Sequence, residues 1–435
     1  MLIAIIYHQK PRQQRLAIQQ HLLSFKEFSS HSVCYWNIAY GIPSWFEECN
    51  FDIMLFHFTF FLPNINTPFT NKFKEWSVLK NATSFKAAMV QDEYVNTTSI
   101  CDFFKEFNIQ KVYTCLPEEL WELVYPYQSS GVTSFTQVLT GYIDEKALPL
   151  YNNNWKPHAE RKFDIIYRAR KMPFYLGSIG AYKSILTEKF KQIQEKYSFR
   201  MDVSNDPNDF IFGNNWIKYI CDARIMPGCE GGSNIFDPIG DIRTCMEKQL
   251  LEKPDTSYEE FESHCLPDKA REFNYTVISP RHFEACMGKT CQVLIEGTYN
   301  GILKPDIHYI SIRKDWSNFE EVCKKILDIP YCEQMAIRAY TDIVESDQYT
   351  YRRFVSEIFK ELSDMISLKT QTTATIQAQK RLVYFQNKPF LFNPRLVIKS
   401  YSIEYLKRIV WFFRLDKMKW FRMIEQKVFG SISTR

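Results

Sequence analysis

Short apolar runs alternate with helical patterns along the first 150 residues, and this alternation restricts the possible fold more than any other feature. Four of the runs indicate buried strands: Leu2–Ile6, Ile53–Phe58, Ala87–Val90 and Lys111–Leu116. Helical patterns lie between them, for example at Gln13–Phe25 and Ile100–Phe107. Strands that are apolar on both faces belong in a parallel sheet that helices cover on each side. The sequence therefore predicts an α/β fold that starts with a Rossmann-like domain.

The alternation stops and then resumes, which indicates more than one domain. Residues 152–158 are polar and without periodicity, so they are predicted to be a linker, and Phe163–Tyr167 opens a second α/β unit. A chain of 435 residues is also too long for one ordinary core. The predicted division is a Rossmann-like domain at 1–155, a second one at 160–347 with an insertion at about 236–270, a helical return segment at 348–368 and a tail at 369–435.

The charge of the chain is concentrated at its C-terminal end. Residues 369–435 contain 14 Lys and Arg against three acidic residues, a net charge of +11, so the remainder carries 4 − 11 = −7. Enzymes that act on nucleic acid usually present a basic face on their main domain. An acidic body with a basic tail therefore argues against a nucleic-acid partner.

Two interpretations of the tail remain open. Apolar residues recur there at helical spacing, with basic residues between them: Ile403, Leu406, Val410, Phe413, Trp420, Ile424 and Val428, and Lys407, Arg408, Arg414, Lys419 and Arg422. A basic amphipathic helix of this kind suits an anionic membrane surface. The alternative is a helix that packs on the body and keeps a solvated basic face.

The 12 cysteines include no Cys-x-x-Cys pair, so a zinc ribbon and a thioredoxin-like motif are unsupported. Most of them lie inside apolar segments, which indicates buried, reduced cysteines and a cytoplasmic protein. The most apolar internal window is far shorter than the roughly 20 residues of a membrane-spanning helix.

The segment from Val277 to Glu296 has the clearest local pattern. Ser279 can cap a helix, Pro280 suits its first turn, and Gly288 is predicted to end it before a strand at 290–295. Arg281 and His282 then lie beside the free N–H groups of a positive helix end, which suits a diphosphate. Glu284, one turn further on, can accept hydrogen bonds from two sugar hydroxyls.

This segment and the Tyr299–Pro305 segment after it resemble the nucleotide-sugar site of bacterial group 1 glycosyltransferases of the GT-B type. More narrowly, they are similar to the spore-protein-like subgroup found with surface-polysaccharide genes. Further motifs agree with the resemblance: Tyr167-Arg168-Ala169-Arg170, Gly228-Cys229-Glu230-Gly231-Gly232-Ser233, Phe236-Asp237, His308-Tyr309-Ile310 and Asp315-Trp316-Ser317-Asn318.

The resemblance implies two Rossmann-like domains that face a cleft, with a nucleoside-diphosphate sugar on the second domain and the acceptor on the first. It implies these donor-binding residues: Arg168, Arg170, Glu230, Ser279, Arg281, His282, Glu284, Tyr299, Asn300 and Gly301. Arg281 also receives a catalytic role, because negative charge grows on the leaving diphosphate and needs preorganised positive charge. The resemblance implies no metal, because GT-B enzymes commonly work without one, and the sequence has no DxD metal motif as a pair at a strand end. No further cofactor is expected, since the donor is itself a substrate. One departure is Thr276, which lies where many group 1 enzymes carry a second acid.

Asp92 and Glu93 follow a predicted strand of the first domain, where ligands of α/β sheets bind. Either carboxylate is a candidate general base for the acceptor hydroxyl, and helix capping is the alternative for both. His57 also follows a predicted strand, and a satisfied structural histidine is the alternative for it.

The sequence thus predicts a glycosyltransferase that moves a sugar from a nucleoside-diphosphate sugar to a glycan or lipid-linked glycan acceptor. The expected setting is surface-polysaccharide synthesis in the cytoplasm, with the tail resting on the inner face of the membrane. A catalytically inactive GT-B-like binding or assembly protein and a sugar-nucleotide epimerase are the alternatives. Thr276 favours the inactive protein, whereas Arg281, Glu284 and the Arg168/Arg170 pair favour an enzyme, because charges in a cleft are costly to keep without a use.

Overall fold

The computed structural model describes residues 1–11, 14–267 and 273–412. Its first lobe is built on a six-stranded parallel sheet with the strand order β2-β1-β3-β4-β5-β6. The strands are β1 Leu2–Tyr7, β2 Ser32–Asn37, β3 Ile53–Phe56, β4 Phe85–Met89, β5 Lys111–Thr114 and β6 Phe135–Gln137. The helices are α1 Leu16–Glu27, α2 Phe58–Asn66, α3 Ser77–Asn81, α4 Thr97–Phe107, α5 Trp121–Val124, α6 Tyr127–Ser130 and α7 Leu148–Asn154.

The second lobe is built on a five-stranded parallel sheet with the order β13-β12-β9-β7-β8, and a short antiparallel pair, β10 and β11, lies beside it. The strands are β7 Phe163–Arg168, β8 Met201–Ser204, β9 Ala223–Gly228, β10 Gly231–Ser233, β11 Tyr275–Val277, β12 Cys291–Ile295 and β13 Tyr309–Ile312. The helices are α8 Gly177–Tyr197, α9 Asn214–Cys221, α10 Asp241–Glu252, α11 Tyr258–Cys265, α12 Pro280–Met287, α13 Phe319–Leu327 and α14 Ile329–Ala339. The predicted α/β class with two Rossmann-like units is confirmed.

The strands predicted for the first lobe need correction at one end and at both edges of the sheet. The strand predicted at 53–58 ends at Phe56, because His57 accepts a hydrogen bond from the N–H of Thr59 and caps α2, which begins at Phe58. The sequence analysis also missed the two edge strands of the sheet, β2, which pairs with β1 alone, and β6, which pairs with β5 alone.

The chain passes between the lobes earlier than the polar segment 152–158 suggests. Ile143 and Tyr151 are buried in one apolar cluster with Ile217 and Phe283 of the second lobe. Residues 152–154, the start of the expected linker, belong to α7, which runs from Leu148 to Asn154. Hydrophobic burial on the second lobe, which the polar sequence of the segment does not reveal, therefore fixes this part of the chain.

The segment at 236–270 was predicted as an insertion, and the structure packs its two helices into the core of the first lobe. Ile242 of α10 and Phe261 of α11 belong to the same buried cluster as Ile3 and Phe103. A backbone connection supports this packing, because the N–H of Asp237 donates to the carbonyl oxygen of Tyr94 at 2.8 Å. We call residues 236–267 the bridging segment.

The chain after the second lobe lies again on the first. Helix α15, Tyr351–Asp364, buries Phe354 and Leu362 in the first core, and Glu361 forms an ion pair with the buried Lys111 at 2.5 Å. Three more helices follow: α16 Thr373–Asn387, α17 Pro389–Phe392 and α18 Pro394–Phe412. Helix α16 packs along β2, where the N–H of Tyr35 donates to Oε1 of Gln386.

The structure corrects the prediction that all cysteines are reduced. Cys245 and Cys265 form a disulfide that joins α10 to α11, whereas the other ten are free and buried. None of the described helices is both long enough and apolar enough to cross a bilayer. Most of the tail residues named in the sequence analysis, from Lys407 onward, lie beyond the side chains that the structure describes.

Candidate functional site

The two sheets share one strand order and therefore one preferred place for a ligand. In each sheet the order reverses beside the first strand, between β1 and β3 in the first lobe and between β7 and β9 in the second. Ligands of open α/β sheets bind at this reversal, beyond the carboxyl ends of the strands. The loops that follow β1, β4, β7 and β9 are thus the first places to examine.

Four basic side chains from both lobes come together there. Arg15 precedes α1, Arg170 follows β7, Lys183 lies in α8, and Arg281 lies in the first turn of α12. Burial, followed by the charges of Arg170 and Arg281, lowers the pKa of Arg15 to about 10. The side chain of Arg15 is exposed to solvent although many protein atoms surround it, as expected at the mouth of a cleft. It stays charged at neutral pH.

The pKa of Lys183 is lowered by the same two causes as that of Arg15, burial and nearby positive charge. Burial is the largest cause that lowers its pKa, and the positive charges of Arg281 and Arg15 lower it further. Within the described parts of the chain, none of the four cations has an ion-pair partner. A cluster of like charges that outnumbers the carboxylates near it is a ready site for an anion.

Two carboxylates complete the arrangement. Asp92 follows β4 with a left-handed backbone (φ 59°), and burial raises its pKa although Lys183, Arg170 and Arg15 lie close to it. Glu284 in α12 accepts a hydrogen bond at Oε2 from Nε1 of Trp216 at 2.8 Å, and burial raises its pKa as well. We call Arg15, Asp92, Arg170, Lys183, Arg281 and Glu284 the interlobe site. Four cations against two carboxylates leave a surplus of two positive charges.

Aromatic rings hold the arginines in place. The guanidinium of Arg281 lies 5.6 Å from the ring centres of both Tyr167 and Trp216. The guanidinium of Arg15, from the first lobe, lies 5.6 Å from the ring of Phe210 in the second. Stacking of this kind orients a guanidinium without neutralising it, so its N–H groups remain available to a ligand.

Arg168, although only two residues from Arg170, is not brought to this site. It forms an ion pair with Asp202 and donates to the carbonyl oxygens of Asp202 and Asp209. The cause is strand pairing, because β8 runs beside β7 with Ile166 opposite Asp202. Arg168 therefore connects two strands of the second lobe, and its guanidinium is engaged there.

Glu93 points into the first core instead of toward an acceptor. Its side chain is fully buried and accepts hydrogen bonds from the hydroxyls of Thr114 and Tyr125 and from the N–H of Cys115. Burial raises the pKa of Glu93 to about 7. Of the two predicted bases, Asp92 alone lies in the interlobe site.

Other predicted donor residues shape the walls of the site. Glu230 accepts hydrogen bonds at Oε1 from the N–H of Tyr299 at 2.7 Å and from the hydroxyl of Thr298 at 2.9 Å. His282 is buried between Gln292 and the carbonyl oxygen of Cys229, and burial lowers its pKa to about 4. Oε1 of Glu230 and both ring nitrogens of His282 are therefore engaged within the protein.

The loop at 299–301 turns through three successive left-handed residues, Tyr299, Asn300 and Gly301. Oδ1 of Asn300 accepts from the N–H of Ile278 at 2.7 Å, which fixes the chain just before α12. Ser279 precedes α12 as predicted, but its side chain makes no capping hydrogen bond. Helix α12 ends at Met287 with Gly288 as its C-cap, as predicted, and the next residue, Lys289, adopts the left-handed conformation (φ 47°).

Sequence reasoning missed Arg15, Lys183 and Trp216. Arg15 ends a polar stretch that follows β1, so the rule that ligands bind at strand ends could have selected it. Lys183 is one of several lysines in α8, and Trp216 one of nine tryptophans, so no local signal separates them. Lys183 and Trp216 reach the interlobe site only because their helices face the other lobe, which the sequence does not show.

Comparisons with known proteins give similarity at the level of the fold. No family model matches the chain, and no curated protein matches it. An alpha-glucosyltransferase in complex with UDP-glucose and DNA containing an abasic site is similar, with 11% identity, a TM-score of 0.47 and coverage of 83% of this chain and 99% of that one.

Two further solved structures have comparable scores. Anabaena HepE in complex with UDP has 10% identity and a TM-score of 0.46, and covers 84% of this chain and 100% of its own. A sucrose-phosphate synthase from Thermosynechococcus elongatus has 8% identity and a TM-score of 0.46, with 84% and 99% covered. The chain is similar to these proteins in its overall backbone arrangement.

Proposed function

We propose that this protein is a glycosyltransferase that takes a sugar from a nucleoside-diphosphate sugar and transfers it to a glycan acceptor. The observation that carries the proposal is the surplus of two positive charges in the interlobe site. The diphosphate of a nucleotide sugar carries two negative charges, and it gains a further one when the sugar leaves. Three arginines can stabilise that negative charge: Arg281 and Arg170 from the second lobe and Arg15 from the first.

The transfer breaks the bond between the anomeric carbon and the diphosphate oxygen and forms a bond from that carbon to the acceptor oxygen. The electron pair of the broken bond stays on the diphosphate, where Arg281, Arg170 and Lys183 stabilise it. The acceptor hydroxyl loses its proton, and Asp92 is the first-lobe carboxylate placed to receive it. Burial raises the pKa of Asp92, which makes its carboxylate a stronger base.

Glu284 is proposed to hold the ribose. Trp216 occupies Oε2 of Glu284 with a hydrogen bond, and Oε1 has no partner within the described residues. A ribose hydroxyl can therefore donate to Oε1 while Trp216 keeps the carboxylate in position. This arrangement fits a nucleoside better than a simple inorganic diphosphate.

The finer parts of the proposal concern the acceptor and the setting. We infer a glycan or lipid-linked glycan acceptor, hexose transfer, and a role in surface-polysaccharide synthesis of the kind found with the spore-protein-like subgroup. A cytoplasmic position beside the inner face of the membrane agrees with the basic tail. The motif resemblance between Val277 and Pro305 is the support for these parts.

A thermal-shift screen with UDP, GDP, ADP and their sugar conjugates tests the proposal. A nucleotide present at 100 times its Kd stabilises the protein by about 2.7 kcal/mol, which is a clear rise in Tm. Incubation with the selected donor and release of the free nucleoside diphosphate then separates an enzyme from an inactive binding protein. No shift with any nucleotide would overturn the proposal, and a shift without turnover would favour the inactive relative.

A further inference from the structure

Helices α17 and α18 expose large apolar side chains that no part of the described chain covers. Phe390, Leu391, Ile398 and Tyr405 keep between 54% and 66% of their surface exposed. On the opposite face of α18, Val397 and Glu404 are buried against the first lobe. The helix is therefore packed on one face and unpartnered on the other.

Basic side chains surround this apolar group. Lys388, Arg395 and Lys399 are exposed beside it, and Arg395 and Lys399 share a helix face with Ile398. Residues 369–412 contain eight Lys and Arg and a single acidic residue, Glu404, which is buried. The exposed surface of this region thus combines apolar groups and cations with no anion of its own. We call Lys388, Phe390, Leu391, Arg395, Ile398, Lys399 and Tyr405 the α17–α18 face.

We propose that the α17–α18 face docks on an anionic lipid bilayer. Exposed Phe, Leu, Ile and Tyr side chains enter the headgroup region, and the three cations contact anionic headgroups. The charge of the face favours an anionic bilayer over a second copy of this chain. A face with cations and no anions repels its own copy and attracts a negative surface. The exposed aliphatic side chains of Leu391 and Ile398 favour lipid over single-stranded nucleic acid, which stacks its bases on aromatic rings between cations.

The chain beyond the described residues has the same character. Residues 413–435 contain six Lys and Arg against two acidic residues, together with Phe413, Trp420, Phe421 and Phe429. The sequence therefore continues the combination of cations and aromatic residues past the end of α18. A longer basic and apolar stretch strengthens attraction to anionic lipid without requiring a membrane-spanning helix.

The position of α18 connects this face to the acceptor side of the protein. Helix α18 packs on the turn Ile38–Tyr40, which follows β2, and Tyr401 lies close to Tyr40. That turn is at the carboxyl edge of the first sheet, the edge that carries Arg15 and Asp92. Docking would bring this edge to the membrane, and the inference that the acceptor arrives there on a lipid rests on the proposed function.

Co-sedimentation of the full-length chain with vesicles tests the docking itself. The probes are phosphatidylcholine vesicles and vesicles of equal parts phosphatidylcholine and phosphatidylglycerol. We expect binding to the anionic vesicles that weakens with added salt but persists, because the apolar contribution is not screened. The triple variant Lys388→Glu, Arg395→Glu, Lys399→Glu should lower the partition coefficient at least about tenfold. The double variant Phe390→Ser, Leu391→Ser should reduce the part of the binding that persists at high salt.

A matched control alters an exposed basic and apolar pair on the second lobe, Lys324→Glu with Leu327→Ser, and should bind like the parent. Equal binding by the parent and the triple variant would overturn the proposal, as would a parent that ignores anionic vesicles. Dimerisation of a parent that stays in solution would assign the face to a second copy instead. The same variants should show the same rise in Tm with nucleotide as the parent, whether or not they bind vesicles. Nucleotide binding and membrane docking are thereby tested separately.

Discussion

Arg15 is the residue through which the first lobe reaches the cations of the second. Its charge adds to those of Arg170 and Arg281, and its side chain lies against Phe210 across the two lobes. Replacing Arg15 by Gln should raise the Kd for the nucleotide selected by the thermal-shift screen by about ten- to a hundredfold, because a hydrogen bond to a charged group contributes roughly 1.5–3 kcal/mol. Isothermal titration calorimetry measures this change.

The matched control for Arg15 is Arg338→Gln, an exposed arginine of α14 that lies outside the interlobe site. It should bind the nucleotide like the parent. If Arg15→Gln also bound like the parent, the first lobe would not take part in donor binding, and the site would belong to the second lobe alone.

His21 and His57 form a buried pair in the first core, with His21 Nδ1 at 2.9 Å from His57 Nε2. The N–H of Thr59 donates to Nδ1 of His57, so the proton of His57 lies on Nε2 and points to His21. Neutral His21 then carries its proton on Nε2, which is buried without a hydrogen-bond partner in the described chain. Both rings are therefore held neutral among aromatic side chains.

This pair should make the protein sensitive to acid. Burial lowers the pKa of His21 from 6.5 to about 3 and lowers that of His57 as well. Unfolded histidines take up protons below pH 6.5 while the folded ones do not, so the free energy of unfolding decreases as the pH falls from 6.5 toward 3. Urea unfolding at several pH values measures the slope.

His21→Phe should reduce that slope, because a phenyl ring fills the aromatic site and does not titrate. His264→Asn, at an exposed position, is the control and should keep the slope of the parent. An unchanged slope in His21→Phe would mean that other groups dominate the loss of stability in acid.

Residue by residue, the sequence predicted the functional site where the signal was local. Arg281 and Glu284 could be selected because the helix that begins at Pro280 places them one turn apart. Arg168 and Arg170 look equivalent in sequence, and pairing with Asp202 of a neighbouring strand separates them. Arg15 joins the site across the lobes, and such contacts depend on packing that local periodicity does not encode.

Among the elements, the bridging segment combines a disulfide with contacts to both lobes. Cys245 and Cys265 join α10 to α11, while Phe174 of the second lobe stacks near Phe261. The double variant Cys245→Ser, Cys265→Ser should lower the free energy of unfolding by about 3 kcal/mol, since the crosslink closes a loop of 20 residues in the unfolded chain. Thermal unfolding with and without reductant measures this loss.

Cys34→Ser, which alters a free buried cysteine of β2, is the control for that experiment. Reductant should lower the Tm of the parent and of Cys34→Ser alike, and should leave the double variant unchanged. A parent that is indifferent to reductant would show that the crosslink adds no stability under those conditions.

At the same scale, apolar strands of the two sheets were predictable because burial on both faces leaves a continuous apolar run. The bridging segment was not recognisable as part of the first core, because its charged helices bury only a few positions, such as Ile242 and Phe261. Helix α7 was missed for the same reason, since Tyr151 alone anchors its polar end.

For the whole molecule, the shared core predicts that the lobes unfold together. Residues from the second half of the chain, including Ile242, Tyr275 and Phe354, lie in one buried cluster with β1 and β3. Loss of either lobe would expose that cluster, so we expect a single transition with coincident midpoints by far-UV circular dichroism and tryptophan fluorescence. Two separated transitions would show that the lobes are independent folding units.

The packing of α16 on β2 has a consequence for handling the protein. Strand β2 is the outer strand of the first sheet, and an uncovered outer strand offers free N–H and C=O groups to other chains. Gln386 binds one of those N–H groups, that of Tyr35, and α16 lies along the strand. A chain shortened before Thr373 would lose this cover and tend to assemble edge to edge into aggregates. Point substitutions in α17 and α18 leave α16 in place on β2, so they change lipid binding without changing solubility. A truncation would change both at once.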